Sequence, residues 1–376
     1  FLRESCISKK SVRAMRRINQ IEPWIGEEEK RAVIEYLDSG GWLTEYERTK
    51  QFERMIAEYI GCKYASVVSS GTAALALALM ALGLKNGDEV IVPDFTMIAS
   101  ANAVLLSRAR PVLVDISKQN LCLDLELARK AVTPRTKAVI LVSLNGRSPG
   151  MEAVLDFCRE NDLFLVEDAA QSLGSRYRAR HLGTFGDIGC LSFSFPKIIT
   201  TGQGGAVLTD NSEIYQKVAK LKDFGRPVSG VDYHETVGFN FKFTDLQAVI
   251  GIEQLRKLEW RVERKKEIYR VYQELLQGTG LEFIHTDLQE TTPWFVDVLV
   301  KERRDSLSSF LDERGIRTRP FHPAIHSQPP YSHVKGNFPI AEYASRKGLW
   351  LPSSLFLGEE DIRRICAEIQ KYFKSG

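Results

Sequence analysis

The chain has 376 residues, 44% hydrophobic and 26% charged, with 51 basic against 48 acidic residues and a formal charge of +3. That length supports a sizeable core in roughly two domains, and the near balance of charge argues against a nucleic-acid partner. Six cysteines without a CxxC or a Cys/His cluster argue against a disulfide framework and a metal site, and fit a reducing cytoplasmic setting.

Residues 1–24 read as a basic N-terminal arm. Arg3, Lys9, Lys10, Arg13, Arg16 and Arg17 interrupt it, which is not the layout of a signal peptide. No apolar run reaches the ~18 residues of a membrane span, so no membrane association is expected. Helical periodicity covers Glu27–Asp38, stopped by Gly40-Gly41, and Thr49–Ile60, stopped by Gly61. The rhythm then becomes strand and helix. Short apolar runs at Tyr64–Val68, Glu89–Val92, Pro111–Asp115, Ala138–Val142, Leu163–Glu167, Ile188–Phe193 and Ala206–Thr209 alternate with helices at 73–82, 98–107 and 151–160. This implies an α/β fold with a mainly parallel sheet covered by helices, which binds ligands at the carboxyl ends of its strands. Residues 246–276 read as one long helix leading to a smaller C-terminal α/β domain. That domain has a strand at 294–300 and a closing helix at 362–372. The expected division is a large domain over 25–250, then the linking helix and small domain over 251–376.

Three segments suggest chemistry. Lys197 lies in an apolar loop between two strands, with Ser192 before it and the Gly-rich Thr200–Gly205 after it. A solvated surface lysine is the ordinary alternative to one that loses its proton and forms an imine. Asp168 follows a strand and opens Asp168-Ala-Ala-Gln171, where it could cap a helix or hold a pyridine nitrogen protonated. Ser69-Ser-Gly-Thr-Ala-Ala74 is a strand-to-helix turn, which could be plain capping or an anion site. GxxxxGK[ST] is absent, which disfavours a nucleotide phosphate loop. In chain order the three segments are a phosphate anchor, a ring acid and an imine lysine, the parts pyridoxal phosphate needs.

From Ile25 to Tyr372 the chain resembles the DegT/DnrJ-type sugar aminotransferases. The resemblance rests on Ser70–Leu75, Pro93–Ala99, Val166–Gln171, Gly186-Asp187, Ser192-Phe193 with Lys197, Thr201–Gly205, Gly238–Asp245 and Arg319-Pro-Phe-His-Pro with His326 and Pro329-Pro-Tyr331. It implies a fold-type I transferase dependent on pyridoxal phosphate, with a seven-stranded sheet in the large domain. Lys197 then resembles the imine-forming lysine and proton shuttle, and Asp168 the partner of the pyridine nitrogen. Gln171 resembles the partner of the ring hydroxyl, and Gly71, Thr72, Ala73 and Ser192 fall in the phosphate cradle. Met97 takes the place over the ring, and Asn240 the residue lent to a neighbouring subunit in a homodimer with shared active sites. Asn145, Arg319, Phe321 and His326 fall in substrate-side segments.

The chain departs from the family at three places. Met97 stands where an aromatic side chain is common, Ser143–Arg147 replaces a His-x-aromatic-Gly loop, and Gln203 replaces a common Glu. The substrate implied is a nucleotide-linked keto-deoxy sugar aminated at C4, as by perosamine synthases, with glutamate as donor. C3-aminating relatives share the same core. A related 3-dehydratase branch carries histidine at the lysine's place, against which Lys197 argues. A cofactor-binding regulatory protein without turnover is the alternative outside catalysis.

Overall fold

The computed structural model describes residues 16–374. The first strands, β1 (Tyr64–Val68), β2 (Glu89–Pro93), β3 (Arg110–Val114), β4 (Thr136–Val142) and β5 (Phe164–Asp168), fall on the apolar runs. A small hairpin follows, β6 (Arg176–Tyr177) with β7 (Arg180–His181), then β8 (Ile188–Ser192) and β9 (Gly205–Thr209). Seven of these form one sheet in the order β1-β9-β8-β5-β4-β2-β3, where β9 alone runs against its neighbours. Val90, Ile91, Val92, Val139, Ile140 and Leu141 are fully buried, as expected for strands covered on both faces. The helix Gly71–Ala81 is apolar all round because it packs between the sheet at β8 and β9 and the helix Ala99–Leu106. Among the described residues no helix is long and apolar enough to cross a membrane.

The small unit is a four-stranded antiparallel sheet, β10 (Leu281–Phe283), β11 (Val296–Val300), β12 (Arg319–Pro320) and β13 (Gly348–Leu351), in the order β10-β11-β13-β12. Its core is Leu307, Leu311, Ile362, Ile365 and Ile369 packed on Val298 and Val300. Most of the basic arm, residues 1–15, lies outside the described residues. From residue 16 onward the chain is fastened to this unit. Ile18 is buried and pairs with Ile316, and the Ser353 amide donates to the Gln20 carbonyl at 2.8 Å.

One element differs from expectation. The segment over 246–276 is two helices, Asp245–Arg256 and Leu258–Leu275, broken at Lys257 (φ −101°, ψ 8°). The apolar stripe has to change partners there. Ile252, Leu255, Leu258 and Val262 pack with Phe52 and Phe193 of the large unit, whereas Ile268, Tyr269 and Tyr272 pack in the core of the small one. A straight helix could not face both.

Candidate active site

The antiparallel pairing of β8 with β9 closes the loop that carries Lys197. Ser192 is registered with Gly205, and the Phe193 amide donates to the Gly204 carbonyl at 2.8 Å. Ile198 and Ile199 are buried and anchor the far side of the loop, leaving Lys197 half-buried on the cavity side. The loop is also held from outside. Gln254 accepts from the Thr200 amide at 3.2 Å, Arg261 donates to the Ile198 carbonyl at 3.2 Å, and the Trp294 indole N–H donates to the Pro196 carbonyl at 2.6 Å. The Lys197 Nζ sits 3.8 Å from the centroid of the Trp294 ring. Burial lowers the Lys197 pKa to about 8, against the opposing charge of Asp168 and with a small assist from Arg319.

Asp168 ends β5, at the carboxyl edge of the parallel strands. Ser100 donates to its Oδ2 at 2.7 Å and the Ala170 amide to its Oδ1 at 3.2 Å. Burial nevertheless pushes its pKa up, against these two donors and the Lys197 charge. A buried carboxylate in this state favours a cationic partner in the space it faces.

The anion end is the turn between β1 and the helix Gly71–Ala81. Ser70 caps that helix by accepting from the Ala73 amide at 3.1 Å, so the first-turn amides left for an anion are those of Gly71 and Thr72. Ala73 is buried behind the turn and does not reach the cavity. Close approach explains the glycines: a Cβ on Gly71 would meet the Ser192 Cβ at 2.8 Å, and one on Gly205 the Ser70 carbonyl oxygen at 2.6 Å.

These groups share one cavity of about 270 Å³. Lys197 and Asp168 line it together with Gly71, Thr72 and Ser192, and with Met97, Gln171 and Arg319. Gln171 accepts from the Asn145 amide at 2.9 Å, which turns its carboxamide toward the cavity. Trp294 and His322, which sequence reasoning missed, line it too. Neither carries a local signal: Trp294 reads as an ordinary strand aromatic and His322 as part of a proline-flanked turn.

Besides Ala73, four expected residues do not line the cavity. Asn145 is buried at φ +52°, and its side chain is occupied by the Phe295 backbone, donating to the carbonyl at 3.0 Å and accepting from the amide at 2.8 Å. It thus orients Gln171 and fastens the small unit, and does not line the cavity. Its neighbour Arg147 makes a buried ion pair with Asp297 at 2.7 Å, so the unusual Ser143–Arg147 loop is a junction between the units. Phe321 is buried against Phe95 and Trp350. His326 is tied by Nδ1 to Asp94 at 2.6 Å, an acid that burial raises to about 6. Asn240 is exposed and does not line this cavity.

The donor set fits pyridoxal phosphate. One cavity offers amides and hydroxyls for a phosphate, a buried carboxylate for a protonated ring nitrogen, and an amine of lowered basicity. Among the described residues no group of three or more His, Cys, Asp or Glu could hold a metal ion.

The model of the DegT/DnrJ/EryC1/StrS aminotransferase family matches residues 23–370. GDP-perosamine synthase of Escherichia coli O157:H7 is 35% identical over 96% of this chain and 99% of its own. The dTDP-4-dehydro-2,3,6-trideoxy-D-glucose 4-aminotransferase of Saccharopolyspora spinosa is 35% identical over 94% of this chain and 96% of its own. Among solved structures, the PLP-form of the putative sugar aminotransferase Spr1654 from Streptococcus pneumoniae superposes with a TM-score of 0.91 at 25% identity, covering 96% of this chain and 99% of that one.

Proposed function

The chain belongs to the DegT/DnrJ/EryC1/StrS aminotransferase family and is a pyridoxal-phosphate-dependent sugar aminotransferase; from that premise we propose that it moves an amino group from glutamate to C4 of a nucleotide-linked 4-keto-6-deoxy sugar. The observation that carries the reading is the meeting of Lys197 and Asp168 on one cavity that is also lined by the Gly71-Thr72 turn. The C4 assignment is supported by the perosamine synthase and 4-aminotransferase relatives at 35% identity over nearly the whole chain.

When bound, pyridoxal phosphate supplies an electron sink and carries the amino group between donor and acceptor. The residues of the chain do the rest. Gly71, Thr72 and Ser192 would hold the cofactor's phosphate, and Asp168 would keep the proton on its ring nitrogen. Lys197, with its pKa lowered to about 8, has neutral amine available near neutral pH to take a proton from the substrate carbon at Nζ and return it. Trp294 covers the amine from the small-unit side and keeps water from it. Arg319 offers a charge to a carboxylate of the amino donor.

A homodimer belongs to the same proposal. Asn240 is exposed, and Val237, Phe239, Trp42, Leu43 and Tyr46 form an exposed apolar surface nearby. Hydrogen bonds from the Tyr46 amide to Asp245 and from the Phe243 amide to Glu45 hold its two segments together. A surface of that kind suits a second copy.

The test is direct. Protein loaded with pyridoxal phosphate should lose its yellow colour with glutamate and regain it with a nucleotide-linked 4-keto-6-deoxy sugar, and NMR of the product should place nitrogen on C4. Lys197→Ala should abolish both changes. A loaded protein that glutamate leaves yellow, or a product bearing nitrogen on C3, refutes the corresponding part.

A further inference from the structure

His322 follows β12 and is 8% exposed, with its ring packed edge-on against Trp350 at a centroid distance of 4.8 Å. It lines the same cavity as Lys197 and Arg319. Its Nε2 is buried and has no hydrogen-bond partner among the described residues. Buried polar atoms in folded proteins are nearly always satisfied, so an orphan at the wall of a ligand cavity points to a partner that arrives with the ligand. Of the other histidines at hand, His326 is held by Asp94, and His181, though also without a partner, packs on Tyr59 outside the cavity.

We infer that His322 determines specificity on the acceptor side, hydrogen-bonding a hydroxyl of the sugar beside Lys197. The inference rests on the sugar-aminotransferase reading and adds to it the residue that recognises the sugar. The charge state selects the partner. Burial first, then the positive charges of Arg319 and Lys197, lower the His322 pKa to about 3, so the ring is neutral at working pH. A neutral imidazole has one N–H donor and one acceptor nitrogen, a match for an alcohol, which both donates and accepts. The carboxylates of an amino donor call for a cation, and Arg319 supplies one on the same wall. The two substrates that share the cavity in turn are thereby read by different side chains.

The experiment uses full-length protein loaded with pyridoxal phosphate and a panel of GDP- and dTDP-linked 4-amino-6-deoxyhexoses, the products of the proposed reaction. Calorimetry measures binding of the amino sugars. Stopped-flow absorbance compares the half-reaction with amino sugar to that with glutamate. His322→Phe, which keeps an aromatic ring against Trp350, should weaken amino-sugar binding about tenfold and slow the sugar half-reaction about tenfold more than the glutamate one. His322→Gln, which restores a donor and an acceptor, should recover part of both. Equal amino-sugar binding by wild type and His322→Phe, or a parallel fall of both half-reactions, overturns the inference while leaving the enzyme reading intact. Wild type that reacts with glutamate yet binds no member of the panel overturns the sugar reading and this inference with it.

Discussion

Removing the aromatic face under Lys197 should change the basicity of its amine. Two effects oppose each other at Nζ: burial lowers the pKa to about 8, and the Trp294 ring, 3.8 Å away at its centroid, favours the charged form. A cation–π contact out of water contributes ~1–2 kcal/mol, which corresponds to about one pKa unit. In cofactor-free protein, Trp294→Leu should therefore lower the Lys197 titration midpoint by about one unit. Trp294→Phe keeps a face but loses the N–H bond to the Pro196 carbonyl, and should shift it by less. The assay is the pH dependence of Lys197 acylation, read by peptide mass spectrometry at pH values from 6 to 10 on protein whose thermal unfolding is checked in parallel. Trp294 is almost fully buried, so Trp294→Leu also costs stability, but that loss has no reason to follow the titration. A midpoint that is unchanged or raised in Trp294→Leu would refute the reasoning.

Arg147→Ala leaves the Asp297 carboxylate buried without its partner, and urea unfolding should show a loss of ~3–5 kcal/mol. The double variant Arg147→Met, Asp297→Leu should recover much of that loss. Lys265 is a buried amine that donates to the Trp294 and Ser353 carbonyls, at 3.0 and 2.6 Å, and burial with the nearby Arg261 lowers it from 10.5 to about 7. Between those values the folded state binds fewer protons than the unfolded one, so the destabilising contribution of this residue shrinks as pH rises from about 7 to about 10. The unfolding free energy of wild type should accordingly rise relative to Lys265→Met across that window, by no more than ~1.4 kcal/mol per pH unit, and a pH-independent difference would count against it. Ser100→Ala removes the 2.7 Å donor to Asp168 and so destabilises the carboxylate; fluorescence titration should show pyridoxal phosphate held about tenfold more weakly, and an unchanged affinity would contradict the assigned role of Asp168.

The large unit was legible because its signals are local. Each strand of the sheet is a short apolar run ended by polar or glycine residues, and Asp168, Lys197 and the Gly71 turn each sit where a strand stops. What escaped depends on distant partners. Nothing around Trp294 indicates that its ring meets a side chain 97 positions earlier (294 minus 197). Ser143–Arg147 resembles a degraded substrate loop in sequence, yet its polar groups fasten Phe295 and Asp297. The break at Lys257 is equally silent, since no proline or glycine marks it and the periodicity runs on through it.

The groups that hold the Lys197 loop from outside, Gln254, Arg261 and Trp294, all lie downstream of it in the chain. During synthesis the lysine and Asp168 therefore leave the ribosome well before the side chains that fix their geometry. A nascent chain ending near residue 250 has Lys197 and Asp168 but no Trp294 surface and none of those three loop contacts. The fixed geometry of the loop is thus a property of the finished polypeptide, because domains fold as units and the three contacts form only once residues 254–294 have been made.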